Sequence, residues 1–230
     1  MKTVISLIGI CYAVLSVPAL AAPIIYTEYS PYAYGLTGSA EADFVSSSGA
    51  LEHESFENVP LSENYYSPTA LTSVTLDGFT AQAEYATRLQ ISNGSFGGNH
   101  AAVSEPDSFS QFMWVVDSGL YSVVTLNFNQ PVNEFALTIT DAKETGGFSI
   151  ETDSGFNYSP LISGTDGNEL FFGMIDYETA FTSVTLRGHD PFGVDAVYYS
   201  SVSSVPLPAA VWMFFSGLLV LGGMARKRSQ

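Results

Sequence analysis

Short runs of alternating apolar and polar residues, separated by turn-forming residues, constrain the fold of this chain more than any other feature. A period of two is typical of half-buried β-strands. Helical periods are absent outside the two ends of the chain. The pattern predicts an all-β fold, a single antiparallel β-sandwich of jelly-roll type. The alternating sets are Tyr85, Thr87, Leu89 and Ile91; Val124, Leu126 and Phe128; Phe135, Leu137 and Ile139; Val184 and Leu186; and Phe192, Val194, Ala196 and Tyr198.

Turn chemistry places the boundaries between these runs. Asp77-Gly78, Asn93-Gly94 and Gly146-Gly147 combine residues that tolerate positive φ angles. Asn129-Gln130-Pro131 lies between two of the alternating sets and also predicts a turn, which would make the runs on either side two separate strands.

The first 21 residues have the order of a secretory signal peptide. Lys2 gives a positive start, an apolar run follows, and Ala19 and Ala21 occupy the two positions that a signal peptidase reads. An uncleaved anchor helix is the alternative, and the small-residue site argues against it. Because the single cysteine, Cys11, lies in this segment, the mature domain would have no disulfide or zinc–thiolate site.

The C-terminal end combines three features in a fixed order. A Val-Pro-Leu-Pro-Ala motif is followed by an uncharged stretch and then by a basic triplet. A helix over residues 209–225 would rise about 25 Å at 1.5 Å per residue, slightly less than a hydrocarbon core of about 30 Å. The tail therefore predicts a transmembrane helix with a cytoplasmic stop-transfer signal. The motif is Val205, Pro206, Leu207, Pro208 and Ala209, and the triplet is Arg226, Lys227 and Arg228.

This ordered tail closely resembles the PEP-CTERM sorting signal in its VPLPA variant. Leu207 stands where the name-giving motif has Glu, which fits the variant and leaves the processing enzyme open. The resemblance implies export across the inner membrane of a Gram-negative bacterium and transient anchoring by the C-terminal helix. It further implies processing by an exosortase-type transpeptidase, followed by residence at the cell surface or in the extracellular matrix.

The negative charge lies entirely between the two ends. The chain has 7 Lys and Arg residues against 23 Asp and Glu residues, and only Arg88, Lys143 and Arg187 of the cations lie outside the ends. The middle of the chain therefore carries 3 − 23 = −20. Such a field repels nucleic acid and favours divalent cations.

These features divide the chain into a signal peptide (1–21), a Tyr/Ser-rich N-terminal arm (22–50), a sandwich domain (51–202) and the sorting signal (205–230). The tyrosines of the arm suit either a sugar-stacking ladder or an arm packed on the sandwich. They are Tyr26, Tyr29, Tyr32 and Tyr34.

The sequence contains no catalytic motif. The segment from His53 to Glu57 lacks the second histidine of a zinc-protease helix and has the residues of a strand. A Gly-x-Ser-x-Gly elbow is absent, and with 23 acids a carboxylate pair is uninformative. We therefore expect a non-catalytic surface or matrix protein that binds polysaccharide. A polysaccharide-modifying enzyme on the same scaffold, a glycoside hydrolase or a lyase, is the alternative.

Three short segments are similar to β-sandwich modules of PEP-CTERM proteins: residues 55–58, 123–132 and 192–197. Related carbohydrate-binding jelly rolls often hold a structural calcium ion between an early acid and a late acid. The resemblance thus implies a calcium site at Glu57 and Asp195, which could converge if the first and last strands are neighbours. In the alternative interpretation both acids face solvent and Asn58 caps a turn. Ala196 also stands where the family usually has a second aspartate.

The sorting interpretation predicts the effect of removing the two prolines of the tail. Pro206 and Pro208 disfavour helix just outside the membrane and keep the motif extended for a protease. Replacing both with alanine should leave export intact and trap the protein in the inner membrane, as measured by fractionation. Normal arrival of this double variant at the surface would show that the prolines do not direct sorting.

Overall fold

The computed structural model describes residues 22–31, 36–61, 71–92, 111–116, 121–141, 147–160, 162 and 167–201. Within these ranges all strand pairs are antiparallel, so the prediction of an all-β antiparallel fold is confirmed. The elements in chain order are β1 (Ile24–Ser30), α1 (Ser39–Ser47), β2 (Glu52–Glu54), β3 (Ser73–Thr75), β4 (Phe79–Ala83), β5 (Arg88–Ser92), β6 (Phe112–Val116), β7 (Ser122–Thr140), β8 (Phe148–Thr152), β9 (Asn157–Tyr158), β10 (Glu169–Ile175), β11 (Phe181–Gly188) and β12 (Phe192–Ser201).

The 19-residue strand β7 joins two groups of strands. Its first half pairs with β4 and β11, and its second half pairs with β10 and β12. β3 extends the first group beyond β4, and β8 and β9 extend it beyond β11. β1 extends the second group beyond β10, while β2 and β6 both flank β12, with β5 outside β6.

The turn predicted at Asn129-Gln130-Pro131 is wrong. These residues lie inside β7, at the exposed point where its neighbours change. Pro131 has no N–H to donate to a ladder, and a proline is tolerated in a strand where no ladder bond is needed. Beyond this point, Leu137 enters the same hydrophobic cluster as Leu126 from the first half. The two groups of strands therefore fold over one shared core.

Residues 22–50 contribute a strand and a helix to this fold. β1 pairs with β10 along its whole length, from Ile24 opposite Ile175 to Ser30 opposite Glu169. The presence of α1 corrects the expectation that helical periods are confined to the ends. Phe44 is the only fully buried side chain of α1, so the sequence carries almost no helical pattern there.

The N-terminus of α1 is held by a side chain from β1. Gly38 precedes the helix with φ 74° and supplies no side-chain cap. Instead, the Glu28 carboxylate accepts hydrogen bonds from Thr37 Oγ1 at 2.7 Å, Ser39 Oγ at 3.1 Å and Ala40 N at 3.2 Å, and from the Thr37 N–H. Burial raises the pKa of Glu28, but these hydrogen bonds outweigh it and bring the pKa to about 2.

The alternation predicted for β12 breaks at Ala196. Its φ angle is 47°, and the register with β7 shifts before Tyr198. One extra residue reverses the faces of a strand. Val194 therefore faces the main core as predicted, but Val197 and Tyr199 take the next core positions and Tyr198 packs on the α1 side. The prediction that Ala196 and Tyr198 share the face of Val194 is wrong for this reason.

Tyr85 is a second departure from the predicted strands. It has φ 57° and is 80% exposed in the turn after β4, and β5 begins only at Arg88.

Within the described ranges, no helix is long and apolar enough to cross a membrane. The predicted signal peptide, the sorting motif and the predicted helix 209–225 lie outside the described residues.

Replacing Glu28 with glutamine should destabilise the fold at neutral pH by less than about 1 kcal/mol, because the carboxylate is only partly buried and solvent screens it. The folded pKa of about 2 lies below the ordinary value of 4.5, so this stability is present above the ordinary value. It is lost as the pH falls towards the folded value. Urea unfolding should show the wild-type and variant free energies converging on acidification. Glu178→Gln, on an exposed loop, should show no such trend, and a pH-independent difference for Glu28→Gln would contradict the assignment.

Candidate functional site

A groove lies between two edge strands of the sheet. Within the described residues β1 pairs only with β10, and β9 pairs only with β8. The groove between them has a volume of about 410 Å³, within the range of about 300–1,000 Å³ found for small-molecule sites. Its described lining residues are Thr27, Tyr29, Tyr158, Ser159, Pro160, Ile162 and Leu170.

β1 and β10 supply the first side of the groove. Tyr29 lies opposite Leu170 in the ladder, so the two side chains share one face of the sheet. Leu170 is 2% exposed, whereas Tyr29 is half-buried and Thr27 is exposed. Tyr29 also packs against the main core. Its ring is therefore supported by packing while part of it remains open to the groove.

Tyr158 supplies the second side of the groove. Its ring centroid lies 5.1 Å from that of Phe172, with an interplanar angle of 33°. Phe172 is fully buried and also contacts Phe156, at a centroid distance of 6.3 Å. This packing fixes the orientation of Tyr158, which remains half-buried beside the groove.

The described lining combines aromatic rings, hydroxyl groups and aliphatic side chains, with no charged group among them. A tyrosine ring offers a flat apolar face and one polar tip. The hydroxyls of Thr27 and Ser159 can both donate and accept hydrogen bonds. A sugar ring presents the complementary set, with C–H groups on its faces and hydroxyls around its rim. The groove therefore has the chemistry to hold an uncharged sugar chain.

The structure separates the tyrosines that the sequence grouped together. Tyr29 faces the groove, whereas Tyr26 points to the opposite face of β1 and packs on Phe44 at a centroid distance of 5.7 Å. Tyr32 and Tyr34 lie outside the described residues. The interpretation as a packed arm is supported at Tyr26, and the sugar-stacking interpretation stays a prediction.

Tyr158 is a lining residue that no sequence motif indicated. The signal that could have found it is the Asp153-Ser154-Gly155 turn, which follows an alternating run and closes a hairpin.

Glu57 and Asp195 are held in different environments. Glu57 follows β2, which pairs with β12, and its Oε1 accepts the N–H of Gln111 at 2.5 Å on the exposed surface. Asp195 is 1% exposed, and its Oδ1 accepts the N–H of Ala196 at 2.8 Å. The alternative in which both acids face solvent is therefore wrong for Asp195. Across the described ranges, no group of three or more His, Cys, Asp or Glu side chains is arranged to hold a metal ion. The calcium site stays a prediction.

The segment around His53 is extended, as its residues predict. His53 lies on β2 rather than on a helix, and its ring stacks on Tyr198 at a centroid distance of 4.3 Å and an interplanar angle of 10°. A stacked histidine on a three-residue strand does not have the helical spacing of a zinc-protease motif.

No protein-family model and no curated protein matches the chain. Several solved structures are similar to it. One is a mutant of the carbohydrate-binding module CBM29-2, with 12% identity, covering 68% of this chain and 100% of that chain at a TM-score of 0.35. Another mutant of that module, complexed with mannohexaose, has 12% identity and covers 66% of this chain and 94% of that chain at 0.37. A third is the CBM22-1–GH10 portion of Clostridium thermocellum xylanase 10B complexed with xylohexaose. It has 13% identity and covers 66% of this chain and 28% of that chain at a TM-score of 0.36. At such TM-scores these likenesses carry no conclusion about this chain.

A calcium ion shared by Glu57 and Asp195 would need six to eight oxygen ligands at about 2.3–2.6 Å. If it binds, excess chelator should lower the melting temperature, and calcium should restore it where sodium of equal ionic strength does not. Glu57→Gln and Asp195→Asn should each abolish that rescue, and Asp43→Asn, an exposed position on α1, should retain it. A melting temperature that is indifferent to chelator would rule the site out.

Proposed function

We propose that this chain is a non-catalytic, exported carbohydrate-binding protein, and that the groove between β1 and β9 holds the glycan. The observation that carries the proposal is the position of Tyr29 and Tyr158, which line one uncharged groove from two different edge strands. An aromatic surface on each side can contact successive sugar rings, and the hydroxyls between them can set the orientation of the chain.

The packing around the groove supports binding at low entropic cost. Tyr158 is backed by the buried ring of Phe172, and Tyr29 lies beside the buried Leu170. Side chains that are already ordered lose little freedom when a ligand arrives. The hydroxyl groups of Thr27 and Ser159 lie in the same lining and suit a ligand rich in hydroxyls.

Binding without cleavage is the function that the described lining favours. Glycoside hydrolysis normally requires two carboxyl groups that flank the scissile bond. The described lining residues carry hydroxyl and apolar groups instead. A polysaccharide-modifying enzyme is the second candidate function. Release of reducing ends from a glycan incubated with the protein would establish it.

The proposal places this function on a jelly-roll-like sandwich that is delivered to the cell surface. The pairing of the early strand β2 with the last strand β12 is consistent with such a topology. Export rests on the signal peptide ending at Ala21, and cleavage there would leave β1 close to the new N-terminus. Anchoring in the inner membrane and release by an exosortase-type enzyme rest on the Val205–Ala209 motif and the residues after it.

Removing either groove tyrosine should weaken glycan binding. Tyr29→Ala and Tyr158→Ala should each raise the dissociation constant by about tenfold, equal to about 1.4 kcal/mol, because each removes the apolar ring face that a sugar would cover. Titration calorimetry with mannohexaose, xylohexaose and cellohexaose would measure the loss. Tyr177→Ala is the matched control, because Tyr177 is 62% exposed on the loop after β10.

Two results would contradict the proposal. One is the absence of binding to all three hexasaccharides. The other is binding that Tyr29→Ala and Tyr158→Ala leave at the level of the Tyr177→Ala control. Circular dichroism of each variant would verify that the strands remain folded.

A further inference from the structure

We propose that a second glycan-binding surface lies at the end of the sheet where β4 ends, β7 begins and β11 ends. Its ligand is an uncharged sugar chain of the class proposed for the groove, so the inference rests on the proposed function. It adds a site that the groove does not contain. The argument starts from Tyr85, whose backbone is strained and whose side chain is exposed.

Tyr85 differs from the other described residues that have an unfavourable backbone conformation. Four described non-glycine residues have positive φ angles, and three of them, Phe56, Asp141 and Ala196, are buried. Tyr85, with φ 57°, is the exposed member of the four. A bulky residue in this region is an outlier, and glycine would adopt the conformation at less cost. Because burial of the ring does not offset this strain, and because such outliers cluster at ligand sites, we assign Tyr85 a role in binding.

Hydrogen bonds hold the turn that carries Tyr85. The Thr87 N–H donates to the Glu84 carbonyl at 3.0 Å and closes the turn. The Arg88 guanidinium donates to the carbonyls of Thr87 and Ala86 at 2.8 and 3.3 Å. The Tyr85 ring therefore projects from a fixed backbone, so little ordering of the chain is needed when a ligand binds.

The same turn is attached to the start of β7. The Glu84 N–H donates to the Val123 carbonyl at 3.1 Å, and the Val123 N–H donates to Thr87 Oγ1 at 3.0 Å. Tyr121 immediately precedes β7 and is 40% exposed. Tyr85 and Tyr121 therefore lie at the same end of two neighbouring strands.

His189 continues this arrangement on the other side of β7. Gly188, the last residue of β11, pairs with Ser122, the first residue of β7, so the next residue, His189, lies beside Tyr121. Their ring centroids are 4.3 Å apart, with an interplanar angle of 59°. Three aromatic residues thus lie at the ends of three adjacent strands, which are about 4.8 Å apart in a sheet. We call Tyr85, Tyr121 and His189 the aromatic end.

The aromatic end is separate from the groove. β8 lies between β11 and β9 in the sheet, and none of the three residues belongs to the described groove lining. Tyrosine rings offer apolar faces to sugar C–H groups, while tyrosine hydroxyls and imidazole nitrogens hydrogen-bond to sugar hydroxyls. A sugar chain long enough to reach both surfaces gains avidity, which exceeds the affinity of either site by about 10²–10⁴.

The test counts the glycan sites on each chain. Equilibrium dialysis of the full-length chain against labelled mannohexaose, xylohexaose and cellohexaose should show two bound molecules of at least one hexasaccharide at saturation. Tyr85→Gly and Tyr158→Ala should each leave one, and Tyr85→Phe, which keeps the ring, should leave two. Affinity for the soluble polymer of the same sugar should fall about 100-fold in either single-site variant. Tyr177→Ala, on the exposed loop after β10, should change neither value.

Melting curves separate loss of the site from loss of the fold. Glycine adopts φ 57° without a side-chain clash, so Tyr85→Gly should melt at the wild-type temperature or higher. A lower melting temperature would show that Tyr85 serves the fold, and the inference would be wrong.

The outcomes distinguish this inference from the proposed function. One bound hexasaccharide, lost in Tyr158→Ala and kept in Tyr85→Gly, would overturn the second surface and keep the groove. One bound hexasaccharide that Tyr85→Gly removes and Tyr158→Ala keeps would overturn the groove and support the second surface. A changed oligomeric state in Tyr85→Gly, with the glycan count unaltered, would show that the aromatic end contacts another copy of the chain and would overturn the inference. The absence of any bound hexasaccharide would overturn both.

Discussion

The double pairing of β7 is the constraint on which the rest of the fold depends. One half of this strand carries β4 and β11, and the other half carries β10 and β12. Because a single strand belongs to both groups, each group must continue outward from it and cover the same core. The outer strands β1 and β9 are therefore brought to either side of one groove.

Core residues hold the groove tyrosines in position. Phe172 lies in the main core, yet its ring also supports Tyr158. Leu170, two residues earlier on β10, reaches the groove directly. The period of two along β10 thus places Leu170 and Phe172 on one face, so that the interior packing continues into the lining. Changes in the core near β10 are expected to alter the groove for that reason.

Local periodicity predicted the strand type and the antiparallel class, because alternation is a property of neighbouring residues. The predictions from periodicity were wrong at positions where contacts between residues distant in sequence determine the backbone conformation. Pro131 has the chemistry of a turn, but its strand continues since both halves of β7 find partners elsewhere. Ala196 adopts a positive φ angle only because pairing on both sides of the bulge holds it there. Similarly, α1 depends on one buried residue, Phe44, and on a cap supplied from another element. The sequence does not indicate that Tyr158 lies near Tyr29, because β9 and β1 are far apart in the chain and come to line one groove only in the folded structure.

Several of the acidic side chains accept hydrogen bonds from backbone N–H groups. Asp153 accepts the N–H groups of Thr182 and Ser183 at the start of β11. Burial raises the pKa of Asp153, but these hydrogen bonds outweigh it and lower the pKa. Other carboxylates bind backbone N–H groups of loops in the same way, and a charged acceptor makes such bonds stronger. The acids that do so include Asp141 to Gly167, Asp176 to Glu178 and Thr179, and Glu134 to Gly49. Since these loops lack the regular partners of a strand, carboxylates satisfy donors that the fold would otherwise leave open. These acids therefore have a structural role in holding loops, which is separate from the lack of charged side chains in the described groove lining.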